Sequence, residues 1–261
     1  MSLSQQLRQA AVLIRQAQFT VALTGAGLST PSGIPDFRSA GSGLWSNADP
    51  MEVASLHSFR AHPEIFYEWV KPLAEALFTA QPNPAHLALA QPETMGLLTV
   101  IITQNIDMLH EQAGSQHVLE VHGHLREVTC IHCYRVLPAA GLLRRWLDAG
   151  ELPRCPTCGH AMKPNVILFG EQLPVQVFTD AKLAARQCDL MIVAGSSLEV
   201  FPAADLPLLA LDQGSSSSRA VLFDLSGKVA ALAQRPVRTR RPKAGWAEHD
   251  PLELARTLEL S

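Results

Sequence analysis

No stretch of this chain holds the ~18 consecutive apolar residues of a membrane-spanning helix, so no membrane span is expected. Nor is there an excess of positive charge. Lys and Arg number 21 against 24 Asp and Glu, a formal net charge of -3, which gives no general attraction to nucleic acid or to an anionic membrane. Charged residues are few, 17% against 47% hydrophobic, the balance of a globular core rather than of a disordered chain. The opening MSLSQQLRQAAVLIRQAQF alternates polar and apolar residues at helical spacing and lacks a signal peptide's uninterrupted apolar stretch, so a cytoplasmic location is expected. There is no internal repeat. Cysteine is also scarce, with five in all. Four of the five form the pairs CIHC and CPTC, Cys130/Cys133 and Cys155/Cys158, while Cys188 stands alone.

What is present alternates. TVALTGAGLS (20–29) reads as a buried strand entering a glycine-rich turn, and LLTVIITQNID (97–107) as a second strand ending in polar residues. HVLEVHG (117–123), KPNVILFGE (163–171) and DLMIVAGSSL (189–198) read as further extended segments. Between them, the first helix is expected to end near Phe19. A mostly helical 49–81 should break at Pro63 and Pro72, and shorter helices are expected in NPAHLALAQ, PAAGLLRRWLDAG and FTDAKLAARQ. Strands alternating with helices predict an α/β fold on a mostly parallel sheet, with ligand groups gathered at the carboxyl ends of the strands.

Thr24-Gly25-Ala26-Gly27 lies where the first strand turns. Glycines there let backbone N–H groups approach a pyrophosphate, although the same spacing also serves a plain tight turn. The loop STPSGIPDFR then packs Ser29, Ser32, Asp36, Phe37 and Arg38 together, as a lid over a ligand would. Gln104, Asn105 and Asp107 share the end of the second strand. His122 precedes Gly123, and its near-neutral pKa suits a general base, a role that chemistry alone leaves open to His124 as well. Other histidines, among them His57, His62, His110 and His160, have no supporting context and are expected at the surface or in packing roles.

The cysteines carry the most specific pattern. Two C-x-x-C pairs about twenty residues apart match a four-thiolate tetrahedral zinc site, two unrelated redox pairs being the alternative. Four thiolates leave no open position for water, so such a zinc would be structural, and its loss should unfold the module around it. Cys188 is expected to be a buried, inert thiol.

These motifs together resemble the sirtuins, which are NAD-dependent protein-lysine deacylases. GAGLSTPSGIPDFR, TQNIDMLH, the His122-Gly123 pair, the cysteine pairs, KPNVILFGE and AGSSLEVFPAA fall in that family's order over residues 8–207. The resemblance implies a Rossmann-like domain from 1–121 and 166–206 with a small zinc-binding module, 122–165, inserted in it. It also implies NAD as cofactor, structural Zn2+ on the four cysteines, and acetyl-lysine proteins or peptides as partners. His122 would be the general base. Gly25, Ala26 and Gly27 would line the pyrophosphate, Arg38 the phosphate and ribose, and Asp36 and Phe37 the cofactor loop. Gln104, Asn105 and Asp107 would hold the nicotinamide half, and Gly195, Ser196 and Ser197 the adenosine half. Val166, Phe169, Gly170 and Glu171 would lie on a strand that pairs with the substrate peptide. Where family members that remove acidic acyl groups carry a tyrosine and an arginine, this chain aligns Val70 and Leu73, so a neutral acyl group is expected.

The resemblance stops near residue 207. The remainder, 207–261, is similar instead to the amino-terminal segment of FGGY-type carbohydrate kinases, through Asp212, Gly214, Ser215 to Ser218, Arg219 and GWAEHDP at 245–251. Such a kinase needs two large lobes, so kinase activity is not expected of this chain. The apolar run RAVLFDL is expected to take the place of a missing strand of the parallel sheet, with FPAADLPLLALDQ as a helix before it and Asp224 near a nucleotide ribose. A sirtuin-like body with a damaged NAD site is the alternative to an active enzyme.

Overall fold

The computed structural model describes residues 3–36, 43–44, 48–198 and 203, together with the backbone of 209–213, 217–223 and 229–236. Phe37, Arg38, Gly214 to Ser216, Asp224 and the GWAEHDP segment lie outside the described residues.

In chain order the amino-terminal half contains α1 (Leu3–Gln16), β1 (Thr20–Thr24), α2 (Pro50–Val53), α3 (Leu56–Ala61), α4 (Pro63–Thr79), α5 (Pro84–Thr94), β2 (Val100–Thr103), α6 (Leu109–Gln112) and β3 (Val118–Glu120). There follow β4 (Gly123–Cys130), β5 (Val136–Pro138), α7 (Ala140–Ala149), β6 (Met162–Val166), α8 (Val175–Gln187) and β7 (Leu190–Ala194). Last come β8 (Leu209–Gln213), β9 (Ser217–Phe223) and β10 (Val229–Pro236). Among the described residues no helix is long and apolar enough to cross a membrane.

A four-stranded parallel sheet in the order β3-β2-β1-β7 forms the centre. Every residue of β1 is buried, as befits a central strand covered on both faces, and TVALT accordingly reads as an unbroken run rather than an alternation. α8 packs Ala181, Ala184 and Ala185 over Val21, Leu23 and Val193. Small residues there let the helix approach the sheet closely. Cys188 is half-buried on this cluster, donates to the Ala185 carbonyl at 3.2 Å, and has its thiol pKa pushed up by burial, as an inert thiol would.

A smaller antiparallel sheet, β5-β4-β6, carries the cysteine pairs. Its core continues into α3 and α4, since Phe59, Phe66 and Tyr67 share one apolar cluster with Val128, Trp146 and Met162. The Tyr67 ring meets that of Trp146 at 4.9 Å, and its hydroxyl donates to the Met162 carbonyl at 2.8 Å. The aromatic face of α4 thus packs against the cysteine-bearing module.

The expected breaks in this helical region are only half present. Pro63 opens α4, where a missing N–H costs nothing, but Pro72 lies inside a helix that continues to Thr79. Buried Phe66, Tyr67, Leu73, Ala74 and Leu77 flank the proline on both sides, and their packing offsets the lost hydrogen bond.

The carboxyl-terminal expectation is overturned. Residues 209–213 are a strand rather than the end of a helix. β9 joins β8 and β10 in a separate antiparallel sheet, β10-β9-β8, with Asp212 opposite Arg219. A strand joins a parallel sheet only through a long crossover, whereas adjacent β-prone segments close a hairpin across a short turn. The local pairing prevails.

Candidate functional site

The expected residues collect at the carboxyl ends of the parallel strands. Gly25 to Gly27 follow β1, Gln104 to Asp107 follow β2, His122 follows β3 by two residues, and Gly195 to Ser197 follow β7. Hydrogen bonds join the four turns. The Asn105 side-chain amide donates to the Gly25 carbonyl at 3.1 Å and to Ser29 Oγ at 3.0 Å. The Gln104 side-chain amide donates to Ser196 Oγ at 2.9 Å, and Ser196 Oγ in turn accepts from the Leu198 N–H at 3.2 Å. Ser29 Oγ donates to Asp107 Oδ2 at 2.6 Å, and Asp107 Oδ1 accepts from the Leu109 N–H at 2.9 Å. Asn105, Asp107, Ser29 and Ser196 are all buried, and each has a hydrogen-bond partner.

Two glycines are required where the turns meet. A Cβ on Gly25 would stand 2.8 Å from the Gly195 carbonyl oxygen, and one on Gly195 would stand 2.1 Å from the Leu28 nitrogen. Gly195 also has a φ of +67°, in the left-handed region. The N–H of Gly27 donates to the Gly195 carbonyl at 2.8 Å, closing one turn against the other.

His122 is held by Nδ1, 3.0 Å from the Gln104 carbonyl. A carbonyl only accepts, so Nδ1 carries the proton and Nε2 keeps its lone pair. Burial lowers the pKa of the imidazole against the opposing pull of that carbonyl, which keeps the ring neutral near pH ~7. His124 is likewise lowered by burial, but its Nδ1 is buried without a partner. Of the two histidines, only His122 is tied to the strand-end network by a described hydrogen bond.

Other histidines also matter here. His86 and His110 are fully buried with rings 5.0 Å apart, beneath the network. His86 Nδ1 accepts from the Asn83 N–H at 3.3 Å, leaving its Nε2 to face Ser29 Oγ at 3.4 Å. His110 Nε2 lies 2.9 Å from Thr24 Oγ1, which bonds Thr103 Oγ1 at 2.9 Å. From sequence, both His86 and His110, like the other unsupported histidines, are expected only in surface or packing roles. The Asn83-Pro84-Ala85-His86 spacing, that of a capping box at the start of α5, was the available signal for His86. His57, His62 and His160 are exposed, the last stacked on His132 at 4.1 Å.

Asp36 is half-buried, and its carbonyl accepts from the Leu44 N–H at 3.0 Å. Val166 closes β6 opposite Gly123. The strand expected to run on through Glu171 ends there. Phe169, 45% exposed, has both backbone groups engaged, its N–H with the Ala54 carbonyl and its carbonyl with the Leu56 N–H, each at 2.9 Å. Gly170 takes a φ of +84°, and Glu171 Oε2 folds back to the Leu168 N–H at 2.8 Å. Val70 is half-buried and Leu73 buried on α4.

The four cysteine sulfurs lie within 4.8 Å of one another. Cys130–Cys158, Cys133–Cys158 and Cys133–Cys155 are separated by 3.4, 3.5 and 3.6 Å. The edge of a tetrahedron with Zn–S bonds of ~2.3 Å is about 3.8 Å, so the donor set fits zinc and leaves no coordination position open. The strand ends also fit a dinucleotide. The Gly25 and Gly27 N–H groups donate to the Ala194 and Gly195 carbonyls, so these glycines bring the turns together, while Asn105 and Asp107 are a buried amide and a buried carboxylate at the same strand ends.

Residues 25–202 match the model of the Sir2 family, and residues 208–260 match that of the amino-terminal domain of the FGGY carbohydrate kinases. NAD-dependent protein deacylase 2 of Archaeoglobus fulgidus is 44% identical over 211 residues, covering 80% of this chain and 82% of that protein. The NAD-dependent protein deacetylase of Thermotoga maritima is 41% identical, covering 77% and 81%. A solved complex of Sir2, a p53 peptide and NAD+ is similar with a TM-score of 0.70 and 40% identity, covering 77% of this chain and 80% of that one. A Sir2 protein bound to a propionylated peptide gives a TM-score of 0.69 at 39% identity, covering 78% and 81%. With the family match spanning well over half of its residues, the chain belongs to the Sir2 family.

Proposed function

We propose that this protein is an NAD-dependent protein-lysine deacylase acting on acetyl-lysine proteins or peptides, and that the strand-end network is its active site. The observation that carries the reading is His122, its tautomer fixed by the Gln104 carbonyl, tied through Gln104 to the glycine turn after β7. NAD, when bound, would supply an electrophilic ribose carbon with nicotinamide as its leaving group. His122 Nε2, with its lone pair free, would serve as the base for a ribose hydroxyl proton. Asn105 and Asp107 hold the nicotinamide amide, and Gln104 its ribose. Gly25, Ala26 and Gly27 receive the pyrophosphate, and Gly195, Ser196 and Ser197 the adenosine. Asp36, Phe37 and Arg38 belong to the loop over the cofactor. Val166, Phe169, Gly170 and Glu171 receive the peptide. Because Phe169's backbone groups are engaged with the 54–56 segment and those of Leu168 with Glu171, peptide pairing falls to Gly170. Zinc on Cys130, Cys133, Cys155 and Cys158 is structural. Apolar Val70 and Leu73 favour acetyl or another uncharged acyl group, since neither side chain can pair a carboxylate. The chain divides into 1–121 with 166–206 as the cofactor-binding part, 122–165 as the zinc module, and a kinase-like tail from 207.

A second reading has an observation of its own. β9 pairs within a separate antiparallel sheet, so 217–223 adds no strand to the four of the parallel sheet. On that reading the body binds peptide but turns over poorly for want of adenosine contacts. Purified protein with an acetyl-lysine peptide, with and without NAD, separates them. NAD-dependent nicotinamide release supports the deacylase, and peptide binding without release supports the impaired form.

A further inference from the structure

The segment that follows β6 makes a single isolated β-bridge, Phe169 to Ser55, and belongs to no described strand. It curls around one buried ammonium. Lys163, 9% exposed, sends Nζ to the Pro164 carbonyl at 2.9 Å, the Val166 carbonyl at 2.8 Å and Glu171 Oε2 at 3.1 Å. A lysine has three donors, and here each has an acceptor. Glu171 Oε2 is shared with the Leu168 N–H, and the Glu171 N–H donates to the Leu168 carbonyl at 3.0 Å. The curl is thus closed from inside by an ion pair. From outside it is pinned at Phe169 by the 54–56 backbone, and at Ile167 by the His122 carbonyl at 2.9 Å. That last bond ties it to the proposed base.

We propose that Lys163 is a positioning residue that presets the 166–171 curl for the acyl-lysine peptide, so that its charge governs peptide affinity without touching peptide or cofactor. The proposal rests on the peptide-binding reading above. A preset curl spares the peptide the cost of ordering it on binding. Without the ammonium, the Pro164 and Val166 carbonyls lose its N–H groups and the buried Glu171 carboxylate keeps the Leu168 N–H but loses its counter-charge, so the curl must open or take in water.

The test compares wild type, Lys163→Met and Lys163→Arg in the full zinc-loaded chain. One readout is hydrogen exchange of the amides from Ile167 to Glu171, which needs no activity. The other is the split between peptide KM, NAD KM and kcat. For Lys163→Met we expect faster exchange confined to this segment and a peptide KM raised by about tenfold, with NAD KM within about twofold of wild type. Lys163→Arg keeps the charge and should recover at least half of both effects. Unchanged exchange in Lys163→Met overturns the proposal, as does a peptide KM that stays at the wild-type value. Equal changes in NAD and peptide KM, or an arginine variant no better than methionine, overturn it too. Wild type with no NAD-dependent turnover would instead sink the deacylase reading; exchange and direct peptide binding by calorimetry then decide the proposal by the same criteria.

Discussion

The Gln104 carbonyl lies 3.0 Å from His122 Nδ1, while the side chain of the same Gln104 reaches Ser196 Oγ at 2.9 Å. One residue therefore fixes the proposed base and braces the turn after β7. Removing the imidazole should stop deacylation without dismantling the cofactor turns. His122→Ala is expected to lose acetyl-peptide turnover by at least ~100-fold, the usual worth of a general base, while NAD binding by calorimetry persists. Near-normal turnover would remove His122 from the role.

Burial lowers the His122 pKa, so the base stays competent on the acid side of an ordinary histidine. The acidic limb of kcat/KM for the peptide should accordingly fall below pH ~6.5. An acidic limb centred above that value would mean that the ring is not neutralised by its site.

Stability should depend on pH in the same range. Burial, reinforced by the neighbouring His86, holds the His110 pKa down to about 3, and burial also lowers that of His86. Each takes up a proton more readily when unfolded, so its neutral state costs nothing above pH ~6.5 and destabilises the fold increasingly as pH falls below that. The expected slope is about 1.4 kcal/mol per pH unit for each histidine protonated only on unfolding. Urea midpoints measured from neutral pH down to pH ~4 should fall steadily. A flat profile would contradict the buried neutral pair.

Zinc removal should be read by tryptophan. Trp146 is 5% exposed against Tyr67, in the same apolar cluster as Cys130 and Cys155. Chelation is expected to release one zinc per chain and shift tryptophan emission to the red as the module opens. Release of zinc without any spectral change would show that the module stands without its metal.

Glycine substitutions should separate backbone strain from collision. Gly33 has a φ of +86° and open space around it, so Gly33→Ala should cost only about 1 kcal/mol. Gly195→Ala adds a methyl 2.1 Å from the Leu28 nitrogen and should cost several times more, read as a far larger drop in thermal midpoint. Equal losses would refute the contact between the two turns.

The central parallel strands β1 and β2 were legible because they are buried on both faces, and a run such as TVALT has one plausible use. The cysteine module was legible because metal coordination fixes both residue type and spacing. Lys163 was not, since a lysine in a strand reads as solvent-facing until the curl around it is seen. The His86–Ser29 and His110–Thr24 contacts join segments far apart in the chain, and no local pattern announces them. Pro72 misled for the converse reason: tertiary packing overrode a strong local rule. In the tail, an apolar β-prone run specified a strand but not its partner, and the nearest segments took it.

The interlock of Gly25 with Gly195 has a consequence for biosynthesis. β1 emerges from the ribosome early, but its flank stays uncovered until β7 follows, long after the last zinc-ligand cysteine. The metal-binding module can therefore mature on a chain whose nucleotide pocket does not yet exist, and that open edge is where a nascent chain is most exposed to mispairing.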